Sequence, residues 1–469
     1  MVQLAESDIS SLRAQFGGAV LTAADADYEE ARHVWNGVID RRPAVIARCA
    51  SAKDVGAAIQ FGRQRGLRLS VRGGGHNYGG SAVCDDGLMI DLSGLKQVQV
   101  DPASRRVTCG GGTTWGELDA ATQAHGLAVT GGFISTTGVA GLTLGGGIGW
   151  LSRQAGLSAD NLISAQMVTA EGKTVRASAD ENPELFWALR GGGGNFGVVT
   201  TFEFQLHGVG PMVNLGLFFW TVDQGTEALR FSRDFVRDAP DGVTPFIAGL
   251  SAPPAPFVPE QYHFARGYAL LVAGFGSADE HARIVEPIRQ TVPPAFELVT
   301  PMPYTQLQQL FNGAAPWGLL AYEKALYLNE LSDEVISVFT DFMPRAASPL
   351  SFVPVFDLSG AYSRVADDAT AFGGSRSARY VFNIAAGCPT PELYEADRAW
   401  VRSFWDALRP YATGSGSYVN FMAEIEDDRV RAAYGASKYD RLARVKAEYD
   451  PQNLFRLNAN IKPALLTTA

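Results

Sequence analysis

Cysteine is scarce in this chain. Its four residues, Cys49, Cys84, Cys109 and Cys388, are scattered over 469 positions. None forms a C-x-x-C pair or stands at metal-ligand spacing from a histidine, so the sequence offers no metal site and the thiols read as small core residues. Positive charge is also in short supply: 39 Lys and Arg against 49 Asp and Glu give a net charge of -10. Clustered Lys and Arg are what hold phosphate backbones, so the balance argues against a nucleic-acid partner. No window is long and apolar enough to span a bilayer, and Met1 to Gly18 lacks the basic-then-apolar order of a signal peptide. The expectation is a cytoplasmic protein with no membrane partner. There is no G-x-x-x-x-G-K-[ST] loop, no G-x-S-x-G elbow, no H-E-x-x-H and no internal repeat. Serine-hydrolase and zinc-protease readings therefore have no support.

Glycine is in excess: 51 residues, concentrated between Gly73 and Gly197. The sequence between the clusters is strongly patterned, which points to backbone pressed against a large ligand and away from a flexible linker. With 46% hydrophobic and 19% charged residues, the chain is otherwise ordinary and long enough for two or three domains.

Residues 43–49 read as a strand, and Ser51 as the N-cap of a helix running to Arg65 and ended by Gly66. Leu67 to Val71 alternates as a strand and delivers the first cluster, Arg72-Gly73-Gly74-Gly75-His76-Asn77-Tyr78-Gly79-Gly80. Leu88 to Leu92 is a strand, and 98–107 a hairpin turning at Asp101-Pro102. Thr114 caps a helix to His125, with Glu117 completing a capping box. The second cluster runs from Gly131 to Trp150. After a hairpin over 165–177 and a helix over 183–189 comes the third, Arg190 to Gly197, and then a strand over 198–206. Gly192-x-Gly194-x-x-Gly197 matches the dinucleotide fingerprint as a string, but a helix precedes it and a strand follows, the reverse of what a helix N-terminus on a pyrophosphate requires.

Beyond His207 the glycine clusters stop. Strands over 215–222, 268–273, 351–358 and 379–385 and helices over 227–236, 280–290, 332–343 and 392–408 indicate a second, α+β domain on an antiparallel sheet. The tail changes style again at Tyr418 and is expected to return to the first domain. The anticipated division is 1–207, 208–414 and 415–469.

These blocks together resemble the berberine-bridge-enzyme-like flavoproteins of the vanillyl-alcohol-oxidase superfamily. Arg72-Gly-Gly-Gly-His76-Asn is similar to the group's signature for covalent FAD attachment. Asp91-Leu92-Ser93, the Gly138 to Gly149 run, Arg190-Gly-Gly-Gly-Gly-Asn-Phe-Gly197 and Tyr449-Asp450-Pro451-x-Asn453-Leu-Phe455-Arg456 follow in the expected order. The likeness covers nearly the whole chain. It implies an α+β, two-domain PCMH-type FAD-binding fold and an FAD-linked oxidase. It also implies that His76 carries the flavin at its 8α position. FAD would be held by Arg72, Gly73, Gly74, Gly75, Asn77, Gly80, Ser81, Thr136, Gly138, Gly141, Gly145, Gly146, Gly149, Gly197, Val198, Val199, Tyr418 and Asn420. Many members attach FAD a second time through a cysteine. That position is Ile134 here, which implies a single covalent bond. Thr137 falls on the side where such proteins admit oxygen.

For the base, a bacterial member carries a glutamate where this chain has Pro354, a departure that weakens oxygenation through a flavin-oxygen adduct. Oligosaccharide oxidases of the group use a Tyr–Asp pair, which Tyr418 and Asp357 would supply, although Asp357 falls on the opposite strand face from Pro354 unless a bulge re-aims it. Phe218, Trp220, Phe246, Trp317, Tyr322, Phe352 and Tyr380 are the aromatics expected to wall the substrate pocket. The expected partners are a small alcohol or amine substrate and molecular oxygen, with peroxide as the by-product. An oligosaccharide oxidase, an oxygenase working through a flavin-oxygen adduct, and an FAD carrier without turnover are the rival readings.

Overall fold

The computed structural model describes residues 4–414, 416–424 and 427–465, so the outer ends of the anticipated first and last segments (1–3 and 466–469) and residues 415 and 425–426 lie outside the description. Among the described residues the glycine-rich half holds a four-stranded sheet, a five-stranded sheet and a short antiparallel pair, Leu127–Ala128 with His207–Gly208. The first has the order Ala19–Leu21, Val45–Arg48, Leu88–Asp91, Leu69–Arg72; its first pair is antiparallel and the others parallel. Ser51 caps the Ala52–Gln64 helix by accepting from the Asp54 N–H, and the helix lays Val55, Ala58 and Ile59 in the core that covers this sheet. Gly66 ends the turn at φ +63°, a conformation that suits glycine.

The second sheet is antiparallel, in the order Val98–Asp101, Arg106–Gly110, Val198–Gln205, Leu162–Val168, Thr174–Ser178. The capping box is present: the Thr114 N–H donates to Glu117 Oε2 at 2.9 Å, opening the Trp115–Gln123 helix. A six-residue helix, Val139–Leu144, sits inside the second glycine cluster.

Residues 212–388 form a seven-stranded antiparallel sheet in the order Phe296–Pro303, Met212–Thr221, Arg266–Gly274, Val243–Ser251, Val353–Asp357, Tyr380–Cys388, Leu320–Leu328. Helices Gly225–Asp238, Ala278–Thr291, Asp333–Phe342 and Pro391–Leu408 cover one face, where Phe218, Trp220, Leu270, Phe382 and Phe404 make the core. The other face turns Leu215, Phe246, Leu271 and Phe356 toward the glycine-rich half. The tail closes the structure from below. Lys446, fully buried on the Ala436–Tyr449 helix, donates to Asp450 Oδ2 and to the Asn195 and Phe455 carbonyls at 2.6–2.9 Å.

Several elements go beyond the sequence reading: the Glu6–Gln15 helix and the strands Val243–Ser251, Phe296–Pro303 and Leu320–Leu328. The helix buries only Ile9 and Leu12, too little to mark an apolar stripe. Val243–Ser251 and Leu320–Leu328 are buried on both faces, so hydropathy does not alternate along them, and Phe296–Pro303 is a half-exposed edge strand with only Phe296 buried.

Candidate active site

The Leu69–Arg72 strand ends in the first glycine cluster, and the second cluster packs directly on it. A Cβ on Gly74 would stand 2.2 Å from the Gly138 nitrogen, and one on Gly138 2.3 Å from the Gly74 nitrogen. No side chain fits at either position, so the two loops meet only because both are glycine there. Asn77 braces the first loop by accepting from the Ser81 N–H and hydroxyl at 3.2 and 2.8 Å.

His76 leaves this loop with Nε2 2.9 Å from Thr136 Oγ1. Trp35 stacks on its ring at 5.4 Å and Trp317 meets it edge-on at 5.7 Å. The imidazole is partly exposed, but to an internal cavity. Burial pulls its pKa down to about 4, so the ring is neutral at physiological pH.

That cavity has a volume of about 810 Å³ and runs from the glycine loops to the open face of the large sheet. It is at the upper end of the roughly 300–1,000 Å³ of small-molecule sites. Gly73, Gly74, Gly75, Asn77, Ser81, Gly138, Gly141, Gly145, Gly197, Val198, Val199, Tyr418 and Asn420 line it, as do Ile134 and Thr137. Other anticipated cofactor residues do not. Arg72 turns away to donate to the Ala31 carbonyl. Gly80 packs on Ile39, Gly146 on Phe372, and Gly149 on the Gly131 carbonyl, where a Cβ would stand 1.5 Å from the oxygen. These glycines are closely packed against protein atoms, and Thr136 meets the site at His76. Gly193, Gly194, Asn195 and Asn458 also line the cavity, and the sequence reading had not named Asn458. The buried Asn458 Oδ1 has no partner.

Tyr418 is fully buried. Its hydroxyl accepts from the Gly147 N–H and from Asn420 Nδ2, each at 2.8 Å. Burial pushes its pKa up to about 12 against the pull of those donors.

Asp357 does not join it. In the Val353–Asp357 strand, Pro354 and Phe356 face the cavity, and regular alternation sends Asp357 to the other face with no bulge to re-aim it. There Asp357 pairs with Arg153 and with Arg379, whose Nε lies 2.7 Å from Oδ1. The Tyr–Asp pair is therefore not assembled.

The aromatic wall needs a similar correction. Phe352 and Phe246 line the cavity, but Phe218, Trp220, Tyr322 and Tyr380 belong to the core under the helices. Trp220 Nε1 donates to the Val292 carbonyl, and the Tyr322 hydroxyl accepts from Arg402. Trp317 covers His76 at the rim, 46% exposed. In their place the wall takes Phe133, Leu217, Leu271, Phe311 and Phe356. The sequence reading also missed Glu323 and Asn383, two buried polar side chains on the cavity wall.

Residues 43–178 match the FAD binding domain family model and residues 417–462 the berberine and berberine-like model. The chain is 30% identical to an FAD-linked oxidoreductase of Dictyostelium discoideum, over 95% of both chains. It is 31% identical to (R)-6-hydroxynicotine oxidase of Paenarthrobacter nicotinovorans, over 95% of this chain and 97% of that one. Among solved structures, 6-hydroxy-D-nicotine oxidase from Arthrobacter nicotinovorans superposes with a TM-score of 0.85 at 28% identity, over 98% of this chain and all of that one. A chitooligosaccharide oxidase, 23% identical, shares the fold at a TM-score of 0.84, over 98% of this chain and all of that one. Full-length likeness of this kind, laid over a cavity built from glycine loops, shows that the chain belongs to the berberine-bridge-enzyme-like FAD-linked oxidoreductases.

Proposed function

We propose that this FAD-dependent oxidase carries its flavin on one covalent bond, to His76. We further propose that it oxidises a C–OH or C–N carbon of a small apolar or aromatic substrate, with oxygen as the electron acceptor. When bound, FAD supplies a two-electron acceptor that oxygen can recharge. The cavity fits the group. Glycine loops leave its floor open to close approach, and the orphaned Asn458 Oδ1 waits for a donor there.

The observation that carries the reading is the state of His76. A neutral imidazole is the form that can act as a nucleophile, and Thr136 holds Nε2 so that Nδ1 is left for attachment. Ile134 lines the cavity, and none of the four cysteines does, which supports a single bond. Thr137, also on the lining, is small enough to leave a path for oxygen. Similarity to family members named as 6-hydroxynicotine oxidases supports a small organic substrate, which the apolar wall would take. Locking of Asp357 by two arginines on the opposite face counts against an oligosaccharide oxidase built on a Tyr–Asp base.

Acid precipitation of the purified protein tests the attachment. Yellow colour should stay with the chain, and His76→Ala should release it. Flavin that remains bound to the His76→Ala chain after acid would overturn the assignment. Peroxide release with alcohols or amines separates an oxidase from a carrier, and reduced protein that fails to re-oxidise in air would leave a dehydrogenase.

A further inference from the structure

Glu323 is the one carboxylate on the cavity lining, and no lysine or arginine lines it among the described residues. It lies mid-way along the edge strand Leu320–Leu328, on the face with Ala321 and Ala325, and is 1% exposed. Asn383 is on the neighbouring strand, diagonal to it across the Glu323–Ala385 and Ala325–Asn383 pairs. Asn383 Nδ2 donates to Glu323 Oε2 at 3.0 Å. Glu323 Oε1 and Asn383 Oδ1 are both buried and have no partner. Two unmet polar atoms on an otherwise apolar wall are costly and call for a ligand that satisfies them.

Burial raises the Glu323 pKa to about 8, with the Asn383 hydrogen bond opposing the rise. Two other titratable groups face it: Tyr78 from the His76 loop and Tyr418 from the tail. The Glu323 charge helps to hold both phenols protonated. Among the described ion pairs none involves Glu323, so nothing cationic pins it in the ionised form. An acid poised near working pH beside an oxidisable substrate is what proton abstraction requires.

Building on the flavin-oxidase reading, we propose that Glu323 is the base of the reaction and Asn383 its positioning residue. The base serves the O–H or N–H of a substrate whose apolar body packs against Phe246, Phe352, Pro354 and Phe356. The bonds balance as follows for a substrate H–C–X–H, with X oxygen or nitrogen. The X–H proton goes to Glu323 Oε1, and the X–H electron pair becomes the second bond of C=X. The C–H bond breaks, and its hydrogen leaves with both electrons to the two-electron oxidant of the family. Oxygen finally takes those two electrons together with their hydrogen and, with the proton that Glu323 returns, leaves as hydrogen peroxide. Asn383 keeps Oε2 occupied, so Oε1 alone receives the proton.

Flavin colour in the purified protein is checked first, since its absence would overturn the oxidase reading itself. The absorbance of the bound flavin is then titrated without substrate. Holoprotein should show a step with a midpoint of about 8; Glu323→Gln should be flat there, and Asn383→Ala should move the step upward. A step that survives in Glu323→Gln, or a flat holoprotein, overturns the proposal. Finally, 1-phenylethanol, N-methylbenzylamine and glucose are mixed anaerobically with holoprotein. An aromatic probe should bleach the flavin at a rate that rises with pH through the same midpoint. Glu323→Gln should bleach about a hundredfold more slowly at equal flavin content, within the roughly 10²–10⁴-fold that positioned proton transfer supplies. Equal rates overturn the role of Glu323, and a flavin bleached by glucose alone or by no aromatic probe overturns the substrate class.

Discussion

Thr136 Oγ1 sits 2.9 Å from His76 Nε2, joining the second glycine loop to the side chain that the first one presents. For Nδ1 to act as the nucleophile, Nε2 must carry the proton and donate it to Thr136, so this contact selects the tautomer. Thr136→Val removes the acceptor and keeps the shape. Attachment of FAD should slow about three- to tenfold, the worth of one hydrogen bond of roughly 0.5–1.5 kcal/mol. A time course of acid-stable flavin in refolded or reconstituted protein measures it. An unchanged rate would mean that Trp35 and Trp317 alone orient the ring.

Asp357 joins the two halves of the molecule. Its partner Arg153 is 3% exposed and comes from the glycine-rich half, while Arg379 immediately precedes the Tyr380–Cys388 strand of the large sheet. Asp357→Asn strands a buried guanidinium, and breaking a buried pair costs about 3–5 kcal/mol. The melting temperature should fall by several degrees. The flavin content of the folded fraction and its pH profile should stay as in the parent. A large loss of turnover without a stability change would restore Asp357 to the chemistry.

Residues fixed by local sterics or local hydrogen bonds were legible from sequence. Gly74 and Gly138 must be glycine, Ser51 and Thr114 cap helices with partners three residues away, and these were found in place. What failed was the choice of face on the large sheet. Phe218 and Leu217 are adjacent and both apolar, yet Phe218 lies under the helices and Leu217 on the cavity. A sheet covered on both sides gives no polar alternation to tell them apart. Glu323 was invisible for a related reason. A Glu-Lys step on a strand reads as a wet edge, and only the packing of the tail and the His76 loop over that face turns it into a buried acid.

Tyr418 should act without changing its charge. Its pKa of about 12 keeps the phenol protonated across the working range, and its two 2.8 Å donors fill the oxygen's lone pairs. The hydroxyl proton is thereby left to donate into the cavity. Tyr418→Phe should lower turnover tenfold or more and cost about 1–3 kcal/mol through the unmet Gly147 N–H. The pH midpoint of about 8 assigned to Glu323 should persist in this variant. A pH profile that loses that limb in Tyr418→Phe would assign the titration to the tyrosine.

The last prediction concerns stability against pH at the contact between the Trp115–Gln123 and Tyr304–Leu307 helices. Asp119 is 1% exposed. Gln308 Nε2 donates to its Oδ2 at 2.9 Å, and Oδ1 has no partner. Burial raises its pKa to about 7 from 3.8, with the Gln308 bond opposing the rise. The folded state thus holds a proton that the unfolded chain releases. The stabilising contribution is complete below the unfolded value and is lost as pH rises through the folded one. Between about pH 4 and pH 7 the loss reaches up to about 4 kcal/mol, at 1.36 kcal/mol per unit. Asp119→Asn keeps the shape and the acceptor without the ionisation. It should change the melting temperature little near pH 4 and raise it clearly near pH 8, on the same flavin-loaded protein. Parent and variant melting curves that stay parallel across that range would show that Asp119 does not carry the pH dependence.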